Sequence, residues 1–107
     1  MTDKILVLST ASSPDEAARL ARALVDAHLA ACVNVVPGAS SVYRWKGEVE
    51  QAAECLLLIK SRRALFERLQ LEIRKHHSYE VPEVIALPII DGSPGYLEWL
   101  ERETLAS

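Results

Sequence analysis

Residues 32–60, CVNVVPGASSVYRWKGEVEQAAECLLLIK, decide the fold because they predict one long β-hairpin. Lys46-Gly47 is the best hairpin turn in the chain, since glycine readily adopts the left-handed backbone of tight turns. The first arm is interrupted at Pro37-Gly38, where the sequence predicts a bulge or bend. The return arm, residues 48–60, begins polar and becomes apolar over residues 55–59.

This hairpin is too long for the domain that carries it. Each arm has about 13 residues, against a usual length of about 5–6. At about 3.3 Å per residue the hairpin would extend over roughly 40 Å, whereas a domain of this size is roughly 35 Å across. The tip must therefore project, and it carries Val42, Tyr43, Trp45 and Val49, which are unfavourable in water.

An exposed hairpin with aromatic side chains favours pairing with another chain. We therefore expect an obligate homo-oligomer built by hairpin exchange or edge-strand pairing. Tyr43 and Trp45 are two residues apart, so they share a strand face, and we expect them to pack at the interface or to stack on a ligand. The alternative is a hairpin that curls back onto its own domain.

The segments before the hairpin predict a strand and a helix. Residues 5–8 are apolar and predict a central strand. Ser13 is expected to cap a helix that runs to about His28, with Pro14 in its first turn and Glu16 completing a capping box. Its predicted buried stripe consists of Ala17, Leu20, Ala21, Leu24 and Ala27.

After the hairpin, Ser61 is expected to cap a second helix that ends in the basic residues 74–77. Residues 84–90 predict a fourth strand, and Ser93-Pro94 predict the start of a short terminal helix. The inner face of the second helix is predicted to hold Leu65, Phe66, Leu69 and Ile73.

This order of elements gives the fold class. Strand, helix, strand, strand, helix, strand is the split βαβ pattern of an α+β, ferredoxin-like sandwich. Both helices lie on one face of an antiparallel sheet. We predict a single domain over residues 1–107, with a long hairpin between the second and third strands and an extra C-terminal helix.

Size and charge exclude several functions. The 107 residues, 50% hydrophobic and 25% charged, can hold one core but not a deep enclosed pocket as well. A binding site is therefore expected in a shallow cleft or between subunits. The net charge of −3, with 12 basic against 15 acidic residues, argues against nucleic acid as a partner.

The chain also predicts its compartment. The longest fully apolar run, residues 55–59, is far shorter than a membrane-spanning helix, and the first residues lack a signal-peptide layout. We expect a cytoplasmic protein without membrane contact. Cys32 and Cys55 fit neither a disulfide framework nor a zinc motif, so both are expected to be buried thiols.

Four short strings occur in order along the chain: LAACVN at residues 29–34, SVYRWKG at 41–47, HSYEVPE at 77–83 and YLEWL at 96–100. Together they resemble the CutA family, the divalent-cation tolerance proteins. The resemblance implies a ferredoxin-like fold similar to that of the PII signalling proteins. It also implies a homotrimer in which the long hairpins meet neighbouring subunits.

His76 and His77 are the candidate metal ligands, since imidazole suits copper, nickel and zinc. Adjacent helical positions differ by about 100°, so the pair could grip one ion only where the helix frays. The resemblance implies copper binding through this pair and a cysteine at the end of the first strand. This chain has Ser9 there, a poor ligand for a soft metal. The alternative is a pair of residues that complement the helix dipole.

Tyr79, Glu80 and Glu83 form a polar cluster beside the histidines, and we predict a ligand cleft from them together with Lys60. The cluster could hold a divalent ion, bind a small molecule between subunits, or order a subunit contact. Lys60 and Glu54 are six residues apart on one strand face, either as a buried pair at the cleft or as two solvated charges.

The chain shows no enzyme signature. It lacks a nucleophile elbow and a phosphate-binding glycine loop, and residues 10–13 lack the arginine-containing turn of acylphosphatases, which share this topology. We therefore expect a homotrimeric, non-enzymatic, CutA-like tolerance protein that binds copper or another divalent metal. The alternative is a PII-like module that binds a small metabolite or an unidentified partner protein at clefts between subunits.

Overall fold

The computed structural model describes residues 2–107. Four strands form one antiparallel sheet in the order β2-β3-β1-β4, which confirms the ferredoxin-like sandwich. No helix within residues 2–107 is long and apolar enough to cross a membrane. The elements are β1 (Lys4–Ala11), α1 (Pro14–Asp26), β2 (Cys32–Trp45), β3 (Glu48–Arg62), α2 (Phe66–His76), β4 (Ile85–Pro88) and α3 (Pro94–Arg102), with a 3-10 turn over Arg63–Leu65.

The core lies between the sheet and the helices α1 and α2. Alternate residues of β1 and β3 point into it, as period-2 strands require, and they meet the apolar stripes of the two helices. Apolar side chains that are fully or almost fully buried there are Val7, Leu57, Ile59, Leu20, Leu24, Leu69 and Ile73. The predicted stripe of α1 is confirmed at Ala17, Leu20 and Leu24, whereas Ala21 is only half-buried and Ala27 lies beyond the end of α1 and is exposed.

The start of α1 is partly as predicted. Ser13 is the cap, and its hydroxyl accepts a hydrogen bond from the backbone N–H of Glu16 at 3.1 Å. The expected capping box is wrong, because the Glu16 carboxylate accepts from Ser12 and Ser78 and does not return to Ser13. The carboxylate therefore links α1 to a distant loop.

Two boundaries in the second half differ from the prediction. Ser61 does not cap a helix, because it pairs with Ile5 inside the sheet and its buried hydroxyl donates to the carbonyl of Leu29 at 2.6 Å. Helix α2 consequently begins later, at Phe66. Strand β4 is only four residues long, since it pairs with β1 only between Ile5 and Leu8.

The hairpin has the predicted length and the predicted bulge. Its arms have 14 and 15 residues, the molecule is 44 Å long, and the register shifts between Val36 and Ala39. We call residues 32–36 and 55–62 the hairpin base, and residues 39–53 the hairpin tip. Lys46 and Gly47 form the turn with positive φ angles of 50° and 85°, as a tight hairpin requires.

The sheet face opposite α1 and α2 is also apolar. Leucine side chains of β1 and β4 alternate onto it, with Leu6 opposite Leu87 and Leu8 opposite Ile85. Ile85 and Leu87 are exposed, and the leucines of β1 and β3 on this side are half-buried. We call this set the apolar face, and it comprises Leu6, Leu8, Leu56, Leu58, Ile85 and Leu87.

The two cysteines differ in their surroundings. Cys55 is buried in the core, as predicted, whereas Cys32 is half-buried at the free edge of β2 and was wrongly expected to be buried. Both are free thiols.

Candidate functional site

The candidate site begins at a buried carboxylate. Glu16, in the first turn of α1, accepts hydrogen bonds from the Ser12 backbone N–H at 2.9 Å, the Ser12 hydroxyl at 3.0 Å and the Ser78 backbone N–H at 2.8 Å. Burial alone would raise the pKa of Glu16, but these hydrogen bonds from Ser78 and Ser12 outweigh it and lower the pKa to about 2. The anionic side chain thereby fixes the loop that follows α2.

His77 starts this loop, and its imidazole side chain is fully buried. Its Nε2 lies 2.7 Å from the carbonyl oxygen of Thr10, which can only accept, so Nε2 carries the proton. Its Nδ1 accepts the backbone N–H of Tyr79 at 3.0 Å. Both ring nitrogens are therefore engaged inside the protein, and a metal would have to displace one of these bonds.

His76 lies in a different environment. It is the last residue of α2, its side chain is 39% exposed, and its Nε2 lies 2.9 Å from Glu72 Oε2 one helical turn earlier. The two imidazoles therefore differ in burial and in hydrogen-bond partners. Within residues 2–107 no three His, Cys, Asp or Glu side chains form a group that could hold a metal ion.

Ser9 does not complete such a group. It lies inside β1 rather than at its end and is fully buried, and its Oγ has no hydrogen-bond partner among residues 2–107. A hydroxyl is also a hard donor that a soft metal does not prefer. The set implied by the resemblance, two histidines and the residue at position 9, does not fit copper in this chain.

Tyr79 joins the loop to the hairpin. Its phenol donates to Glu54 Oε2 at 2.6 Å, and its ring packs on the imidazole of His77 with centroids 4.7 Å apart. Burial and the neighbouring Glu54 carboxylate raise the pKa of Tyr79. The phenol therefore stays protonated and remains a donor to Glu54.

A groove runs between the hairpin tip and this loop, and we call it the hairpin groove. Its volume is about 810 Å³. The predicted cleft residues Tyr79, Glu80 and Glu83 line it, as do the predicted interface residues Tyr43 and Trp45. The remaining lining residues are Thr10, Ser41, Val42, Glu50, Glu54, Ser78, Val81 and Pro82.

Lys60 lies elsewhere. It shares a face of β3 with Glu54, but six residues separate them, which is about 20 Å along a strand. Its ammonium group contacts the side chain of Asn34, and its partner across the strands is Cys32. Within one chain, therefore, Lys60 does not join Tyr79, Glu80 and Glu83.

Sequence reasoning missed two residues of the site. Glu50 is one, and its signal was present, because Glu50 and Glu54 are an even number of residues apart on one strand and so share a face. Glu16 is the other, and its position in the first helical turn suggested a cap rather than a link across the fold. One of its two partners, Ser78, lies 62 residues away, which no local pattern reveals.

Comparison with known proteins gives one consistent result. Residues 5–103 match the family model "CutA1 divalent ion tolerance protein". The chain is 49% identical over 100 residues to "Protein CutA, chloroplastic" of Arabidopsis thaliana, covering 94% of this chain but 55% of that protein. It is 48% identical over 99 residues to the "Divalent-cation tolerance protein CutA" of Thermus thermophilus, covering 92% and 96%. The chain thus spans about half of the plant relative and nearly all of the bacterial one.

A solved structure agrees. The chain is similar to the crystal structure of CutA1 from Oryza sativa with a TM-score of 0.95 and 47% identity, covering 97% of this chain and 95% of the other. The long hairpin and the added terminal helix are therefore parts of a shared architecture.

Proposed function

Because the chain belongs to the CutA1 divalent ion tolerance protein family, we propose that it is a homotrimeric divalent-cation tolerance protein that binds copper or another divalent metal. The observation that carries the metal proposal is the contact between the exposed His76 and the half-buried Glu72, with 2.9 Å between Nε2 and Oε2. Imidazole and carboxylate together suit several divalent transition metals. Water or a neighbouring subunit supplies the remaining positions. His77 serves to anchor the loop.

Calorimetry with Cu²⁺ tests whether His76 and Glu72 bind the metal. We expect His76→Ala and Glu72→Gln to weaken binding, and His28→Ala, which removes an exposed histidine at the other end of the molecule, to leave it unchanged. Wild-type affinity for Cu²⁺ in the double variant His76→Ala/His77→Ala would exclude both histidines as ligands. Equal losses from His76→Ala and His28→Ala would indicate nonspecific binding to surface imidazoles.

Two surfaces support the homotrimer. The apolar face leaves Ile85 and Leu87 exposed at one edge of the sheet, and the hairpin tip exposes Val42 and Val49 by 67% and 62%. Burying such surface against another chain is favourable by about 25 cal/mol per Å². The edges of β2 and β4 also present unpaired backbone groups that another chain can bind.

Sedimentation at micromolar concentration tests the assembly. We expect a trimer for the wild type, and a shift toward smaller species for Trp45→Ser in the hairpin tip. Val25→Ser on α1 is a matched control, because Val25 and Trp45 are both 38% exposed. A monomeric wild type contradicts the proposal, and equal behaviour of the two variants removes Trp45 from the interface.

We propose a cytoplasmic location and a role without catalysis. The two free thiols support a reducing compartment, although relatives are described as chloroplastic and periplasmic. Fractionation of the source cells with an antibody against this chain tests the location. The family is described by ion tolerance and not by a reaction, which supports a role without catalysis.

A second candidate function is a PII-like module that binds a small metabolite or a partner protein at clefts between subunits. The hairpin groove favours it, because aromatic and carboxylate side chains of one chain meet there in a concave surface, to which a second subunit would add the other wall of a cleft. A thermal-shift screen against metals and small metabolites distinguishes the two candidates. Stabilisation by metals alone supports the first, and stabilisation by a metabolite supports the second.

A further inference from the structure

One face of β3 carries opposite charges at its two ends. Alternate residues of a strand share a face. From the hairpin base to the hairpin tip, the residues on this face are Lys60, Leu58, Leu56, Glu54, Ala52 and Glu50. The lysine lies at the base, the leucines belong to the apolar face, and the glutamates line the hairpin groove. The two ends of this face therefore have complementary charge.

Lys60 has no carboxylate partner in its own chain. Its ammonium group contacts the amide side chain of Asn34, and it forms no salt bridge within residues 2–107. Lys4 and Arg62 lie on the same side of the sheet, but both are paired with Asp3. Lys60 is therefore left with an uncompensated positive charge beside the apolar face.

The negative charge is uncompensated at the other end. Glu54 is only 7% exposed, its hydrogen bond comes from the neutral phenol of Tyr79, and it forms no salt bridge within residues 2–107. No basic side chain from residues 2–107 lines the hairpin groove. A buried carboxylate without a positive partner is unfavourable, so a positive charge from outside this chain would stabilise the groove.

The two charges cannot meet within one chain. Six residues of an extended strand separate Lys60 from Glu54 by about 20 Å, and the pairing of β2 with β3 keeps the strand extended. Two copies satisfy both charges if the hairpin tip of one lies against the hairpin base of the next. A contact of this kind is heterologous, and a closed ring of such contacts uses both ends of every subunit. Each groove in the ring then receives one lysine.

The apolar surfaces and dimensions fit this arrangement. Tyr43 and Trp45 line the groove and are 41% and 38% exposed, and Lys60 borders the apolar face because it pairs with Leu6 across the strands. Contact between groove and base therefore also buries apolar side chains, which is favourable. Residues 39–45 of the tip extend roughly 23 Å, and the two shorter dimensions of the molecule are 25 and 22 Å. The tip is thus long enough to cross a neighbouring subunit.

We propose that Lys60 of the partner subunit enters the hairpin groove and pairs with Glu54, so that each groove is completed by the next copy of this chain. The inference rests on the proposed homotrimer and names the charged contact between its subunits. Two subunits together then supply the cleft set that the sequence groups, Lys60, Tyr79, Glu80 and Glu83.

Sedimentation of conservative variants tests this contact. Lys60→Met keeps the aliphatic part of the side chain, and Glu54→Gln keeps an acceptor for Tyr79. We expect each to raise the protein concentration at which half of the chains are trimeric by about tenfold, since a charged partner is lost. The double variant should be no weaker than the weaker single variant, because both substitutions remove the same contact.

A third variant keeps the test decisive if Glu54→Gln does not fold. Lys60→Glu places a carboxylate next to those of the groove, and like charges at an interface are unfavourable. It should therefore dissociate the trimer at higher protein concentrations than Lys60→Met does. The matched controls are Lys75→Met and Glu98→Gln, which change exposed residues of α2 and α3 and should sediment as the wild type does.

The outcomes separate this contact from the homotrimer. An additive loss in the double variant would overturn the proposal, because Lys60 and Glu54 would then act at different places. Equal losses in Lys60→Met and Lys75→Met would overturn it too, since they would reflect net charge alone. A wild-type trimer that neither Lys60→Met nor Lys60→Glu weakens contradicts the contact and leaves the homotrimer intact. A monomeric wild type contradicts the homotrimer itself, and this contact with it.

Discussion

The hairpin base and the hairpin tip are formed by the same two strands but have opposite surroundings. In the base, Leu57 and Ile59 are fully buried against the helices of their own chain. In the tip, Val42 and Val49 are apolar as well, yet the chain covers neither. Apolar composition therefore does not identify a monomer's core, because the same residue types serve one part of a strand that packs inward and another that projects.

Removing a side chain from the hairpin base should give the largest effect. Leu57→Ala leaves a cavity among buried residues of the core, and such changes destabilise by about 2–5 kcal/mol. Chemical denaturation measures the loss. Gln51→Ala in the tip, on the same strand and exposed, should change the free energy of unfolding by less than about 0.5 kcal/mol. Comparable losses from the two variants would contradict the contrast between base and tip.

Substitution of Glu16 tests how helix α1 holds the loop that lines the hairpin groove. The folded pKa of Glu16, about 2, lies below the ordinary value of 4.5, so its stabilisation is present above about pH 4.5 and is lost as the pH falls toward 2. The shift corresponds to roughly 3 kcal/mol. We expect Glu16→Gln to lose about that amount at pH 7 and to flatten the acid limb of stability against pH.

Denaturation curves between pH 2 and pH 7 measure this effect. Asp15→Asn, one residue earlier in the same helical turn and exposed, is the matched control and should keep the acid limb. An unchanged pH profile in Glu16→Gln would mean that the buried carboxylate is not the group that titrates.

The sequence predicts the fold better than it predicts the site. Strand order and the two helices follow from periodic patterns, and the Lys46-Gly47 turn follows from local backbone chemistry. The exposed length of the hairpin also follows, because strand geometry converts residues to distance.

The site depends on contacts that no local pattern contains. The orientation of His77 is set by the carbonyl of Thr10, 67 residues away, and adjacency to His76 in the sequence gives no sign of that contact. Ser61 looked like a cap because a helix follows closely, but pairing with β1 extends β3 through it. The distance along β3 that separates Lys60 from Glu54 was available from the sequence, but the contact that places Tyr79 beside Glu54 was not.

Gly38 lies at the bulge between the hairpin base and the hairpin tip, and its substitution tests whether the backbone there requires glycine. Its φ is +82°, and a Cβ there would meet no atom within 4 Å. Gly38→Ala therefore strains the backbone without a clash, and we expect a loss of about 1 kcal/mol. Thermal denaturation measures it. Gly95→Ala, also without a close neighbour but within helix α3, should not destabilise, and a loss there equal to that of Gly38→Ala would remove the backbone explanation.

Substitution of Arg22 should change the free energy of unfolding least, and it gives a reference value for the comparison between hairpin base and hairpin tip. Arg22 forms an ion pair with Asp26 on the outer side of α1, with 3.4 Å between Nε and Oδ2 and side chains that are 82% and 67% exposed. Exposed pairs of this spacing contribute about 0.3–0.5 kcal/mol, so Arg22→Ala should lower the free energy of unfolding by no more than that. High salt should reduce even this difference, because it screens exposed charges. The value bounds what a solvent-exposed side chain contributes in this protein. Suppose that a substitution in the hairpin tip lowers the free energy of unfolding by more than this at high protein concentration but not at low concentration. Such a substitution must remove a contact with another chain.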